Sequence, residues 1–308
     1  MKDNSENWAI LLSGVKSGDV KSIARSISLI ENETAGYLAF MAAITEKSGP
    51  ATVIGVTGPP GAGKSTITDG LIETMVNDGK KVAVLCVDPS SAFNLGALLG
   101  DRIRMSSWYR HDSVYIRSLA SRGAMGGLHP MIIEITDLLR AAGFDYIVIE
   151  TVGVGQTEIE IAGLADTTVV VLVPESGDEI QTMKAGLMEI ANIFVVNKAD
   201  RPGAADFVNN LRLMLAPAFH QHSHEVTILS TVATQQKGIA ELYEKIGNIS
   251  RSINAERKFW LYAEKAYQLI RNQRMKGMTK LFLKQEIEKR GDQFNLYVFI
   301  LDFVKSNK

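Results

Sequence analysis

One cysteine in 308 residues, Cys86, rules out an intramolecular disulfide and any multi-cysteine metal site. It stands inside the apolar run Val82-Ala83-Val84-Leu85-Cys86-Val87, where a thiol packs as a small hydrophobe. Excess charge of either sign is also missing. The 33 Lys and Arg nearly cancel the 34 Asp and Glu, and the formal net charge is −1. Such a chain exerts no global pull on nucleic acid or on an anionic membrane, and neither is expected as a partner. No apolar run approaches the ~20 residues of a membrane-spanning helix. The opening Met1-Lys2-Asp3-Asn4-Ser5-Glu6-Asn7 has no signal-peptide core and is too acidic for a transit peptide. A reducing, cytoplasmic setting is the expectation.

What is present is a globular balance of 46% apolar and 22% charged residues. That suits one large domain, or one domain with helical appendages. Residues 1–50 read as an N-terminal helical extension. Trp8, Leu11, Leu12 and Val15 form one stripe, and Val20, Ile23, Ala24, Ile27 and Ile30 form another. Asp19 is a candidate N-cap between them. Residues 51–250 alternate apolar runs with helical patterns, the strands starting near Val53, Val82, Val114, Tyr146, Thr168, Ile193 and Val226. The runs are continuous rather than alternating, as strands covered on both faces require. The fold class is therefore α/β, a doubly wound, mostly parallel sheet with ligands at the strand C-termini. Residues 251–308 return to helix. No glycine- or proline-rich linker sets them apart, so they read as a C-terminal helical extension lying on the core or on a second subunit.

The chemistry centres on Gly58-Pro59-Pro60-Gly61-Ala62-Gly63-Lys64-Ser65-Thr66, which satisfies G-x-x-x-x-G-K-[ST]. Glycines let successive N–H groups turn toward phosphate oxygens. Lys64 supplies a point charge to the β- and γ-phosphates, and the Ser65 hydroxyl is a hard ligand for Mg²⁺. The context agrees. Thr52-Val53-Ile54-Gly55-Val56 reads as a buried strand ahead of the loop. Ile67, Leu71, Ile72, Met75 and Val76 recur at helical spacing behind it, with Gly79 as a stop.

A second motif, Asn197-Lys198-Ala199-Asp200, follows the apolar run Ile193-Phe194-Val195-Val196. This N-K-x-D pattern selects guanine. The Asp200 carboxylate can accept from both the N1–H and the exocyclic amine. Adenine lacks both donors and leaves the acceptor unsatisfied, at a cost of roughly 1–3 kcal/mol. Further contact with the base is expected from Val232, Ala233 and Thr234, chiefly through the Ala233 N–H, with an ordering hydroxyl from Ser230 or Thr231. Asp88 and Glu150 end apolar strands, so their carboxylates would face Mg²⁺ and the γ-phosphate. Arg102, Arg104, Arg117 and Arg122 are candidates to stabilise charge in phosphoryl transfer; for each, an ion pair within the fold is the competing role. These features describe a P-loop nucleotide-hydrolysing core for GTP and GDP.

Beyond these motifs, whole phrases of the chain resemble the MeaB-type GTPases, chaperones of cobalamin-dependent methylmalonyl-CoA mutase. They include Val87-Asp88-Pro89-Ser90-Ser91, Gly100-Asp101-Arg102-Ile103-Arg104-Met105, Ile116 through Gly123, Glu150 through Gln156 and Gly177-Asp178-Glu179-Ile180-Gln181. The resemblance spans about residues 8–250. It implies slow GTP hydrolysis that gates adenosylcobalamin loading and protection of the mutase, or of a related acyl-CoA mutase, by a homodimer. It adds Asp101 to Ser65, Asp88 and Glu150 around Mg²⁺. It marks 88–105, 150–160 and 175–184 as switches, and it makes Lys184 a catalytic residue beside Lys64 and Glu150, acting when the partner is bound. Two departures stand out: Pro174-Glu175-Ser176-Gly177 where Pro-Gly-Ala-Gly is usual, and His129 where serine is common.

Other readings compete. His220, His222 and His224 share a face of an extended strand and suit a nickel or zinc metallochaperone GTPase; a solvated loop is the plainer explanation. An ATP-dependent transport accessory or kinase would need adenine to satisfy Asp200. A non-catalytic scaffold would have no use for Lys64, Ser65 and Glu150 together.

Overall fold

The structure, a computed structural model, describes residues 4–46, 49–88, 105–121, 128–151, 157–175, 191–219, 227–249, 255–275, 278, 280–290 and 294–306. The chain parts into two compact units, Met1–Asn254 and Ala255–Lys308.

In the first unit, seven apolar runs form one sheet: β1 (Thr52–Thr57), β2 (Val82–Asp88), β3 (Val114–Ala120), β4 (Tyr146–Glu150), β5 (Thr167–Leu172), β6 (Ile193–Val196) and β7 (Thr227–Ser230). Each begins within a residue of the start expected from its sequence. The order is β3-β2-β4-β1-β5-β6-β7, and every neighbouring pair is parallel. Both faces are covered. Val169 and Val171 of β5 pack into one core with Ile67, Leu71 and Met75 of α4 (Lys64–Asn77) and Leu242 and Ile246 of α8 (Ile239–Ile249). Val170 and Leu172 enter the opposite core with Ala162 of α6 (Thr157–Leu164) and with Phe207, Leu211 and Leu215 of α7 (Ala204–Phe219). A strand buried on both sides has no polar face, which is why these runs lack alternation.

Parallel pairing brings every strand C-terminus to one edge of the sheet. That edge carries Thr57, Asp88, Glu150, Leu172, Val196 and Ser230, and the loops that follow them. The N-terminal helices α1 (Asn4–Lys16), α2 (Val20–Glu31) and α3 (Tyr37–Thr45) pack on α5 (Ile132–Ala141) within the same unit. Asp19 caps α2, accepting from the Ser22 N–H at 2.8 Å, as its position before the second stripe predicts.

The second unit holds α9 (Ala255–Arg274), α10 (Lys280–Glu288) and α11 (Leu296–Ser306). Phe299, buried, stacks at 5.4 Å from Phe303, and Phe303 meets Phe282 of α10 at 6.2 Å. Much of its apolar surface faces outward: Phe259, Trp260 and Tyr297 are each more than 70% exposed. No helix among the described residues is long and apolar enough to cross a membrane.

Candidate nucleotide-binding site

The loop from Gly58 to Gly63 joins the C-terminus of β1 to α4 and lies over the edge of the sheet. Its tightness is visible at two glycines. A Cβ on Gly58 would sit 2.1 Å from the Val171 carbonyl oxygen of β5, and one on Gly63 would sit 2.3 Å from Asn197 Nδ2. Both have left-handed φ, 137° and 93°, so at both positions sterics admit only glycine. Gly63 is also the N-cap of α4 and offers no side-chain acceptor. The first N–H groups of α4 therefore point into the loop, as an anion site requires. Lys64 reaches back along the loop, its Nζ donating to the carbonyls of Gly58 (2.9 Å) and Pro59 (3.0 Å). A lysine folded over the loop in this way places its charge where phosphates approach the backbone N–H groups.

Ser65, on the first turn of α4, donates from Oγ to Glu150 Oε1 at 2.5 Å. Both residues are buried, Glu150 to 4% exposure. The sequence placed each at this edge independently, one from the loop motif and one from the end of an apolar run, and the fold brings them into contact. Asp88 closes β2, whose Cys86 is in register with Glu150, so its backbone stands on the same edge. Beside them the hydroxyl of Thr151 donates to Thr57 Oγ1 at 2.9 Å, tying the end of β4 to the end of β1. A buried hydroxyl touching a carboxylate, oxygen donors only, fits a hard divalent cation such as Mg²⁺. Asp101 and Lys184 lie outside the described residues, as do Arg102, Arg104, Arg122 and the three histidines His220, His222 and His224.

Arg117 takes the alternative role weighed for it, an ion pair within the fold. Its guanidinium donates to Glu31 Oε2 at 2.6 Å and to Ser28 Oγ at 3.2 Å, both on α2. Glu31 also approaches buried His129, whose Nε2 lies 3.5 Å from Oε1. The His129 Nδ1 accepts the Met131 N–H at 3.1 Å. This network joins the N-terminal helices to β3, and Arg117 is not a charge stabiliser in this arrangement.

The loops after β6 and β7 converge on Asn197, which is buried. Its Nδ2 donates to the Ala62 carbonyl at 2.9 Å. Its Oδ1 accepts from Thr231 Oγ1 at 3.1 Å and from the Ala233 N–H at 3.2 Å. One carboxamide thus clips the phosphate loop to the loop after β7. The ordering hydroxyl belongs to Thr231, not to Ser230. The Ala233 N–H, assigned from sequence to the base, is directed here at Asn197. Val232 is half-buried and Thr234 exposed. Lys198, at φ 57°, sends Nζ to the Gly61 carbonyl at 2.8 Å. Asp200, in the loop after β6, is exposed. Sequence reasoning missed the pairing of Arg201 with Glu175 of the loop after β5; the only signal was Glu175 standing where glycine is usual.

The family model for the methylmalonyl-CoA mutase-associated GTPase MeaB matches residues 23–287 of the chain. A protein of Pyrococcus horikoshii named as a GTPase is 46% identical over 241 residues, covering 77% of this chain and 75% of its own. GTPase ArgK of Escherichia coli is 33% identical over 261 residues, covering 82% and 78%. A fused isobutyryl-CoA mutase of Geobacillus kaustophilus is 36% identical over 237 residues, which are 73% of this chain but 22% of that protein. Among solved structures, one titled LAO/AO transport system kinase superposes with a TM-score of 0.68 at 26% identity, covering all of this chain and 94% of the other.

Proposed function

Because the chain belongs to the family of methylmalonyl-CoA mutase-associated GTPases, we propose that it is a GTP-hydrolysing switch that serves a cobalamin-dependent acyl-CoA mutase. In this reading the nucleotide state gates adenosylcobalamin loading and protects the mutase. Binding of a guanine nucleotide is the common property of the relatives named as GTPases. The observation that carries the reading here is the Asn197 clip. It sets the phosphate loop, the base loop and the loop after β7 at fixed spacing, so one ligand with a base and a phosphate chain can touch all three.

The residues divide the work. Gly58 to Thr66 wrap the phosphates with backbone N–H groups, and Lys64 leaves its two carbonyls to neutralise the β- and γ-oxygens. Ser65, Glu150, Asp88 and Asp101 would hold Mg²⁺ directly or through water. When bound, such an ion would neutralise charge on the phosphate oxygens. Glu150 accepts a hydrogen bond from the Ser65 hydroxyl and so orients it. Asp200 accepts from N1–H and the 2-amine, and Asn197 keeps its loop in register; Val232, Ala233 and Thr234 flank the base. Lys184 is the residue proposed to reach the terminal phosphate when the partner is bound. The structure of LAO/AO transport system kinase shares the fold; the base loop of this chain suits guanine and not adenine.

The mutase role is supported by the family description and by the fused relative, in which a stretch similar to this chain shares one polypeptide with an isobutyryl-CoA mutase. A reducing, cytoplasmic setting agrees with the buried, lone thiol. A homodimer formed with the outward apolar surface of Ala255–Lys308 completes the proposal. The test is hydrolysis of GTP with and without a purified cobalamin-dependent acyl-CoA mutase. The proposal requires faster turnover with the mutase and a nucleotide-dependent complex. Equal turnover and no complex in either GTP or GDP would remove the mutase as partner.

A further inference from the structure

We infer that Glu175 is a specificity-positioning residue: it draws the Arg201 guanidinium away from neighbouring Asp200 and so leaves that carboxylate to the guanine base. The inference rests on the reading that Asp200 meets the base.

Asp200 stands close to two cations in sequence, Lys198 and Arg201. A cation that pairs with a carboxylate competes with the donors of guanine. Both are engaged elsewhere. Lys198 Nζ is committed to the Gly61 carbonyl at 2.8 Å. The Arg201 Nη1 is hydrogen-bonded to Glu175 Oε1. The backbone fixes this division. Lys198 adopts a left-handed φ of 57°, and the Arg201 N–H closes the turn onto the Lys198 carbonyl at 3.0 Å. Asp200 itself is exposed, and among the described residues no side chain hydrogen-bonds to it. Glu175 reaches Arg201 because β5 and β6 are neighbours, with Leu172 in register with Val196. The loops leaving them are therefore adjacent. The Arg201 guanidinium, with Lys198 behind it, holds the Glu175 carboxyl below its ordinary range. The bridge is accordingly ionised at neutral pH.

The Arg201 and Glu175 side chains are 47% and 52% exposed. An exposed pair contributes little by itself, so the expected effect is a few-fold change and not a collapse of binding. It is also specific in kind. Glu175→Gln frees the guanidinium to pair with Asp200, whereas Glu175→Gln with Arg201→Gln removes the competitor as well. A bridge that merely braced the two loops would be lost equally in both variants.

The experiment is titration calorimetry of GDP, IDP and ADP with the full chain in Mg²⁺ buffer. IDP keeps the N1–H but lacks the 2-amine, so the ratio of GDP to IDP affinity reports the state of the Asp200 carboxylate. Glu175→Gln is expected to weaken GDP roughly 2- to 5-fold and to narrow the GDP to IDP ratio. The double variant is expected to recover most of both. Unchanged GDP affinity and ratio in Glu175→Gln, with the wild-type chain still preferring GDP over ADP, would overturn this inference alone. So would a double variant no better than the single. A wild-type chain that binds ADP as well as GDP would overturn the guanine reading on which the inference rests.

Discussion

Lys64 donates to two carbonyls of its own loop, and that arrangement makes it the residue most directly answerable for phosphate binding. Hydrogen bonds to a charged group contribute about 1.5–3 kcal/mol. Lys64→Ala is therefore expected to weaken GDP binding by roughly 10- to 150-fold at 1.4 kcal/mol per tenfold, and calorimetry reads this directly. An unchanged far-UV dichroism spectrum is expected alongside, since the Gly58 and Pro59 carbonyls that accept from Lys64 belong to its own loop. At this scale the sequence was readable where chemistry dictates identity. Lys64, Ser65 and Glu150 were each assigned from motif or strand end, and Ser65 and Glu150 do touch. Asn197 was less readable. Its type pointed to the nucleotide, but its carboxamide braces loops that meet only after folding, 135 residues away at Ala62 and 36 away at Ala233. The choice between Ser230 and Thr231 was open for a related reason. Adjacent residues of an extended chain point to opposite sides, and only the register of β7 on β6 settles which hydroxyl turns inward.

Among the elements, the glycine loop and β5 depend on each other. Gly58 passes so close to the Val171 carbonyl that any Cβ would collide with it, and Gly63 passes equally close to Asn197. Gly63→Ala adds a left-handed alanine, at a cost of about 1–3 kcal/mol, and drives the loop off the Asn197 carboxamide. The expected outcome is loss of most GDP affinity with an unchanged far-UV dichroism spectrum. A variant that kept wild-type affinity would show that the clip does not shape the site. The elements themselves were the most legible part of the chain. Buried parallel strands must be continuous apolar runs, and all seven were found where those runs begin. Pairings across elements were not legible. Arg117 looked like any of four arginines near the phosphates until α2 packed against the sheet and brought Glu31 to it.

On the scale of the molecule, charge and apolar surface are unevenly distributed. Residues 255–308 hold 12 Lys and Arg against 6 Asp and Glu, in a chain whose formal net charge is −1. The same unit turns Phe259, Trp260 and Tyr297 outward. Exposed aromatics on a cationic unit, in a chain otherwise acidic, suit association with a second copy. Light scattering is expected to give twice the 33.7 kDa chain mass, and Trp260→Glu to return it to the monomer with GDP binding intact. A monomeric wild-type chain would contradict the proposed dimer and leave the nucleotide site untouched.

The account depends most on a guanine base lying against Asp200 while its phosphates lie under Lys64. The direct measurement is calorimetric affinity for GDP and XDP in the wild-type chain and in Asp200→Asn. The prediction is a reversal, with GDP preferred by the wild type and XDP by the variant, since an amide can donate to the 2-oxo group that xanthine carries in place of the amine. An unchanged order of preference in Asp200→Asn would contradict it.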